Sequence, residues 1–344
     1  MENFRKLATV RKIKDIIPIE GADMIELGIV DGWQVVVAKN EGHKVGDLIV
    51  YCEIDSFLPI KEEFEFLRKS SYKKMGDIEG FRLRTIRLKG KISQGLILPY
   101  SVIPITQFAT ATELPEGMDV SDMLGIVKYE PPVPAELSGK AKGLFPSFLR
   151  KTDEERVQNL GEDYSKLRFM SNHLFYVTEK LDGSSATFYF RNGEFGVCSR
   201  NLELIETEDN TFWKVARELK IEELLGTLDE NICLQGELIG EGIQGNPYKI
   251  KGQTVKFFNA FNIDSQSRLT MRQFVELLEK LGLDYVPFLA MDFQFPNSIE
   301  DMLVYAEGKS ALNYNAEREG VVVRSYDTLI SFKAISNNFL LKAK

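Results

Sequence analysis

Residues 175–199 read FYVTEKLDGSSATFYFRNGEFGVCS. Three runs in this stretch, Phe175 to Lys180, Ser185 to Arg191 and Phe195 to Ser199, have the aromatic and β-branched composition of strands. Asn192-Gly193 separates the last two and is a two-residue hairpin signal, because both positions accept positive φ. The stretch therefore predicts a meander of antiparallel strands. It leaves Lys180-Leu181-Asp182-Gly183 where the first strand ends.

Downstream, the pattern alternates between the two periods. Asn210 to Leu225 reads as one amphipathic helix, and Thr270 to Leu281 has helical period. Ile232 to Ile239, Lys256 to Ile263, Gly320 to Arg324 and Leu329 to Ile335 read as strands. The sum is an α+β domain built on antiparallel sheets, expected over residues 151–344. Upstream, Thr152-Asp153-Glu154-Glu155 matches a capping box opening a short helix, TDEERVQNL. Before it, PPVPAELSGKAKGLFPSFL predicts an irregular linker over residues 131–150.

Residues 1–130 read as strands. Asp31-Gly32 separates two apolar runs in IELGIVDGWQVVVA, again a hairpin signal. DLIVYCEIDSFLPI (47–60) reads as one strand ending at a proline, and FRLRTIRLKG alternates cleanly before ISQGLILP. Several short strands of this kind predict a small β-barrel, either of the OB type or of similar size with no ligand. Arg82, Arg84, Arg87, Lys89 and Lys91 form the densest basic stripe in the chain. It reads either as a solvated strand face or as a phosphate contact.

Bulk properties narrow the classes. A length of 344 residues suggests two domains. The hydrophobic and charged fractions are ordinary for a soluble globular protein. No apolar run is long enough to span a bilayer, and Met1 to Lys14 lacks the apolar core of a secretory signal. Cys52, Cys198 and Cys233 are too scattered for a disulfide framework or a zinc site, and they fit a reducing cytoplasm. With His43 and His173 as the only histidines, histidine-centred metal sites and triads are nearly excluded. The net charge of −8 means that a nucleic-acid binder of this composition must concentrate its cations locally.

A lysine is a covalent nucleophile only once its amine loses the proton, and burial or neighbouring cations favour that. One K-x-D-G tetrapeptide is weak evidence, since a lysine and an aspartate also close hairpins. Lys180 to Gly183 is followed, in order, by Ser199-Arg200-Asn201 and by Gln235-Gly236-Glu237-Leu238-Ile239-Gly240 with Gly242-Ile243-Gln244-Gly245-Asn246. Then come Phe257-Phe258-Asn259-Ala260-Phe261-Asn262-Ile263, Glu319-Gly320-Val321-Val322-Val323-Arg324 and Phe332-Lys333-Ala334-Ile335.

These six ordered motifs resemble the covalent nucleotidyltransferase superfamily of ligases and capping enzymes. The likeness is greatest to ATP-dependent RNA ligases of the class with an N-terminal OB-fold domain. DNA ligases and capping enzymes carry that domain after the catalytic one, and here the last motif sits close to the end of the sequence. The resemblance implies an OB-like β-barrel followed by an antiparallel-sheet nucleotidyltransferase domain of an ATP-grasp-like ligase fold. It implies that Lys180 forms the bond to AMP, that Asp182 orients a metal-bound water, and that Arg200 contacts the nucleotide and an RNA 5′-phosphate. It further implies Glu237 on the ribose hydroxyls, Phe261 stacked on adenine, Glu319 organising magnesium and Lys333 on the AMP phosphate. Many relatives have a second lysine where this chain has Ile335, so Lys342 or Lys344 would have to replace it.

Each role has its own physical sense. An aromatic face stacks on a base for about 1–3 kcal/mol. A buried carboxylate accepts from ribose hydroxyls and so rejects analogues lacking them. By strand alternation Phe258 and Phe261 point to opposite faces, so only one lines a pocket. Lys180, Arg200, Arg324 and Lys333 together would depress the Lys180 pKa and stabilise the transferring phosphoryl group. Lys249 and Lys251 reach either the ATP tail or plain solvent.

The expectation is thus a monomeric, cytoplasmic RNA ligase that uses ATP and Mg²⁺ or Mn²⁺. It would seal RNA with 3′-OH and 5′-phosphate ends, with nicks in duplex RNA the expected substrate, and the N-terminal domain would bind RNA. The rivals are a capping-type guanylyltransferase, a DNA ligase, and a non-catalytic RNA-binding protein.

Overall fold

The computed structural model describes residues 6–104, 114–130, 139–170, 175–328 and 330–342. The chain divides into two units. One comprises residues 1–132, 158–162 and 340–344, and the other residues 133–157 and 163–339. No described helix is long and apolar enough to cross a membrane.

Alternation builds the first unit from short strands: β1 (Ala8–Lys12), β2 (Asp15–Pro18), β3 (Ile25–Val30), β4 (Trp33–Ala38), β5 (Leu48–Cys52), β6 (Ser56–Pro59), β7 (Tyr72–Met75), β8 (Ile78–Arg82), β9 (Thr85–Leu88), β10 (Lys91–Gln94), β11 (Leu96–Pro99) and β12 (Val127–Lys128). They pair antiparallel in the orders β1-β5-β11, β2-β3-β4, β12-β6-β8-β7 and β10-β9. The inward positions, among them Val10, Val50, Leu58, Phe64, Phe81 and Leu98, make one apolar cluster, and Trp33, Tyr51, Ile49 and Ile97 lead a second. Two one-turn helices, α1 (Arg68–Ser71) and α2 (Ser121–Leu124), complete the connections. The run 47–60 is two strands rather than one. Asp55 has a positive φ, and this left-handed conformation turns the chain between β5 and β6.

The second unit holds two sheets. The larger runs β13 (Ala141–Leu144), β18 (Leu202–Leu204), β17 (Glu194–Cys198), β16 (Ser184–Arg191), β19 (Ile232–Gly240), β20 (Gln253–Asn262) and β21 (Ser267–Arg268). The smaller runs β14 (Glu155–Arg156), β24 (Ser331–Ile335), β23 (Gly320–Ser325), β15 (Phe175–Lys180) and β22 (Phe288–Ala290). Helices α4 (Thr211–Glu218), α5 (Ile221–Gly226) and α6 (Met271–Leu281) cover one face of the larger sheet, burying Phe212, Val215, Ile221, Leu225, Phe274 and Leu278 against Phe188, Leu234, Leu238 and Phe257. α7 (Ile299–Ala306) packs on β24. The other described helices are α3 (Glu162–Met170) and α8 (Asn337–Lys342).

Three expectations need correcting here. Asn210 to Leu225 is two helices, because Lys220 adopts a left-handed conformation and breaks the run. Asn210 nevertheless caps α4, as its type favours. The predicted helix TDEERVQNL does not form. Glu155–Arg156 is a strand paired in parallel with Phe332–Lys333, followed by a 3₁₀ turn over Val157–Leu160. Asp153 and Glu154, inside the expected capping box, instead meet Lys333 of β24 and Arg324 of β23. The linker stretch contains β13, which pairs with β18, whereas residues 131–138 and Leu329 lie outside the described residues.

Candidate active site

Lys180 ends β15, directly opposite Gly320 at the start of β23. Glu319 precedes that glycine, and its carbonyl accepts from the Ser336 N–H at 2.9 Å. This register brings the two side chains together: Lys180 Nζ donates to Glu319 Oε2 at 2.7 Å. Lys180 keeps 28% of its side chain exposed and Glu319 15%, so the pair is reachable from solvent.

Beyond Lys180 the chain turns through Leu181, buried against Ile239, Tyr248 and Val286. The Asp182 N–H donates to the Tyr248 hydroxyl at 2.6 Å. Gly183 follows for a steric reason. A Cβ there would lie 2.4 Å from the Leu238 carbonyl oxygen and 2.8 Å from Glu237 Cγ. The tetrapeptide can therefore lie against β19, the strand that carries Glu237.

Three carboxylates, Glu319, Glu237 and Asp182, act on one lysine. Burial alone would lower the Lys180 pKa, but Glu319, Glu237 and Asp182 outweigh it and hold the amine above its ordinary value. This overturns the expected depression by a cationic array. The other three cations of that array are each held elsewhere. Arg324 Nη2 meets Glu154 Oε1 at 2.9 Å, Lys333 Nζ meets Asp153 Oδ1 at 2.7 Å, and Arg200 Nη2 lies 3.5 Å from Asp153 Oδ2. Burial, and secondarily Glu319, pushes Asp182 up to about 6, and burial pushes Glu237 up to about 8 against the pull of Lys180. Burial also brings Lys333 down to about 8 despite Asp153.

The site thus carries surplus negative charge around its lysine. Among the described residues no three metal-ligating side chains converge. Asp182 and Glu319 nevertheless suit a small divalent cation of the Mg²⁺ type, which takes one or two carboxylates and completes its shell with water and phosphate oxygens.

The aromatic strand differs from simple alternation. A bulge between Gln235 and Gly236 of β19 sets them opposite Asn259 and Phe257, leaving Phe258 extra on β20. Phe257 goes to the helix-covered core. Phe258 packs against the Leu181, Ile239 and Tyr248 cluster. Phe261 packs with Leu149, Tyr189, Cys198 and Cys233, with the Arg150 guanidinium 5.5 Å over its ring. Ile239 and Cys233 alternate with Glu237 on one face of β19, so Phe258 and Phe261 both belong to the Glu237 side, not to opposite faces. Phe261 is 1% exposed, while Phe258 is half-buried with Arg324 5.8 Å over its ring.

Sequence reading missed Tyr248, Asp153, Glu154 and Arg268. Glu154 accepts from Arg324 and Ser331, with Arg268 at 3.8 Å. Burial alone would raise its pKa, but these arginines hold it below the usual carboxylate value. The two adjacent acids, Asp153 and Glu154, lay inside the stretch read as a capping box. Of the proposed substitutes for a second motif lysine, Lys342 is exposed in the part of α8 that groups with the first unit, and Lys344 lies outside the described residues. Ile335 is buried, and Lys249 and Lys251 lie in the turn before β20, Lys249 and Lys251 both being exposed.

Comparison with known proteins fits this arrangement. A sequence model described as an OB-fold domain matches residues 7–100, and one described as RNA ligase matches residues 173–344. No curated protein matches. Among solved structures, a Naegleria gruberi RNA ligase variant with AMP and Mn is 43% identical, covering 98% of this chain and 99% of that one with a TM-score of 0.88. The same ligase with PPi is 44% identical with a TM-score of 0.86, covering 98% of each chain. Another variant with ATP and Mn is 43% identical with a TM-score of 0.87, covering 98% of this chain and 99% of that one.

Proposed function

Because this chain belongs to the RNA ligase family, we propose that it joins RNA 3′-hydroxyl and 5′-phosphate ends through AMP carried on Lys180. The observation that carries the reading is the strand-end contact of Lys180 with Glu319, reachable from solvent and ringed by Asp182 and Glu237. ATP is the nucleotide, by likeness to the Naegleria ligase with ATP and Mn.

In the first step Lys180 Nζ attacks the α-phosphorus of ATP. A P–N bond forms, the P–O bond to the β-phosphate breaks, and pyrophosphate leaves. The attack needs a neutral amine, whereas the carboxylates favour the ammonium. A divalent cation held by Asp182 and Glu319 would neutralise part of that negative charge, ease loss of the lysine proton and offset charge on the phosphates. Glu237 accepts from the ribose hydroxyls. Lys333 and Arg200, both within reach of Asp153, exchange that carboxylate for phosphate oxygens. In the second step the AMP phosphorus passes from Lys180 to an RNA 5′-phosphate, breaking the P–N bond. In the third a 3′-hydroxyl attacks that end, forming the phosphodiester and releasing AMP. Phe261 and Phe258 are both placed on the Glu237 side, and one of them supplies the adenine-stacking face. One chain supplies every group named, so a monomer suffices.

The deciding experiment offers ATP or GTP labelled at the α-phosphate, with Mn²⁺, and reads label that stays on the denatured protein and is released by acid, as a P–N bond requires. Label from ATP that vanishes in Lys180→Ala is expected. Label from GTP instead, or undiminished label in Lys180→Ala, would overturn the reading. Sealing of nicked RNA but not of all-DNA nicks then identifies the substrate.

A further inference from the structure

We infer that the β9–β10 hairpin of the first unit is a contact for the RNA phosphodiester backbone. The inference rests on the RNA-sealing reading above and adds to it a surface of the first unit. Residues 80–112 contain no aspartate or glutamate, in a chain with 51 acids and a net charge of −8. Four cations fall within that stretch on or beside the hairpin: Arg84, Arg87, Lys89 and Lys91. All four are exposed, and among the described residues none of them is in an ion pair. Arg87 donates to the Gly90 carbonyl at 3.1 Å, a contact within the hairpin itself.

Other cations of this unit are neutralised internally. Arg11 meets Asp31, Lys12 and Lys14 meet Glu116, Arg68 meets Glu65, and Lys74 meets Glu79. Arg82, which opened the basic stripe in the sequence, is also removed from it. Its guanidinium meets Asp55 at 3.1 Å and lies 4.4 Å over the Tyr129 ring. The hairpin keeps a compact set of charges that no ion pair neutralises among the described residues.

The hairpin is also held firmly at its base. The Ser93 hydroxyl accepts from the Val36 N–H at 3.0 Å, and the Tyr51 hydroxyl donates to the Gln94 carbonyl at 3.0 Å. Ser93 and Gln94 are buried, while the tip at Lys89-Gly90 is exposed with positive φ at both turn residues. The result is an anchored ribbon that presents cations at its free end. A polyanion is the partner this charge suits, and within an RNA ligase that polyanion is RNA.

The test measures binding of a labelled nicked RNA duplex by the full chain across a salt series. The variants are the triple Arg87→Ala, Lys89→Ala, Lys91→Ala and a conservative pair, Lys89→Arg with Lys91→Arg. Backbone contacts need charge rather than one side-chain shape. The triple variant should therefore bind at least about tenfold more weakly and lose close to one unit of salt slope per cation removed. The arginine pair should bind as the unmodified chain does. AMP transfer to the protein needs no RNA, so the triple variant should keep it, which also shows that it folds.

Unchanged RNA affinity and salt slope in the triple variant would overturn the hairpin assignment and leave the sealing reading intact. Failure of the sealing reading looks different. The unmodified chain would neither bind nor seal nicked RNA, and the hairpin assignment would fall with it.

Discussion

Lys180 carries its charge in the resting site because three carboxylates outweigh its burial. Burial makes the neighbouring acids reluctant to ionise, and a pH dependence follows. Glu237 in the folded chain titrates at about 8, and Asp182 at about 6, both above their unfolded values. The folded state therefore binds more protons than the unfolded one across that window, so stability falls as pH rises through it. The thermal midpoint of the nucleotide-free protein should drop between about pH 6 and pH 8. Glu237→Gln should remove most of that drop, whereas an equal drop in the variant would mean that Glu237 is not responsible. At Gly183 the constraint is steric. Gly183→Ala should lower both the thermal midpoint and AMP transfer, because the added carbon meets the Leu238 carbonyl. An alanine variant as stable and as active as the parent would count against that close approach.

Among the elements, β14 and the residues before it join the smaller sheet through side chains as much as backbone. Glu154 and Arg324 are each only 9% exposed, and removing one partner leaves a buried charge uncompensated. Glu154→Ala should cost about 3–5 kcal/mol in denaturant unfolding. A cost under about 1 kcal/mol, the range of a surface pair, would show the bridge to be solvated. The strands bearing Lys180, the turn at Asn192-Gly193 and the helix capped at Thr270 were all legible, since period and turn chemistry are local. The Thr152 to Glu155 segment was misread for a physical reason. Acids that could cap a helix are equally good partners for distant cations. That choice is made here by Arg324 and Lys333, on strands from the far end of the sequence. The bulge on β20 was invisible for a similar reason, since it belongs to a strand pair rather than to either strand.

For the whole molecule, the two units divide the charge problem. A chain of net charge −8 handles polyanions only where its cations are concentrated and left without acidic neighbours. Nucleotide binding should register as global stabilisation, because a ligand that binds only the folded state adds RT ln(1 + [L]/Kd). That is about 2.7 kcal/mol at a hundredfold excess over Kd. With Lys180→Ala, which blocks covalent transfer, ATP plus Mn²⁺ should raise the thermal midpoint and GTP plus Mn²⁺ should not. Equal shifts would move the reading toward a guanylyltransferase. Chelation of the divalent ion should abolish AMP transfer in the unmodified chain, and retention of transfer would remove the role given to Asp182 and Glu319.

The order of six motifs, the strand-end lysine and the α+β architecture were determined by the sequence itself, because each depends on neighbours within a few residues or on spacing along the chain. The tertiary structure alone decided the charge state of Lys180, the shared side of Phe258 and Phe261, and the attachment of Asp153 and Glu154 to distant cations. Which carboxylates surround an amine, and which cations are left unpaired, depend on how strands far apart in sequence are brought together. Electrostatic energy follows distance in space and burial, and neither is written in local sequence.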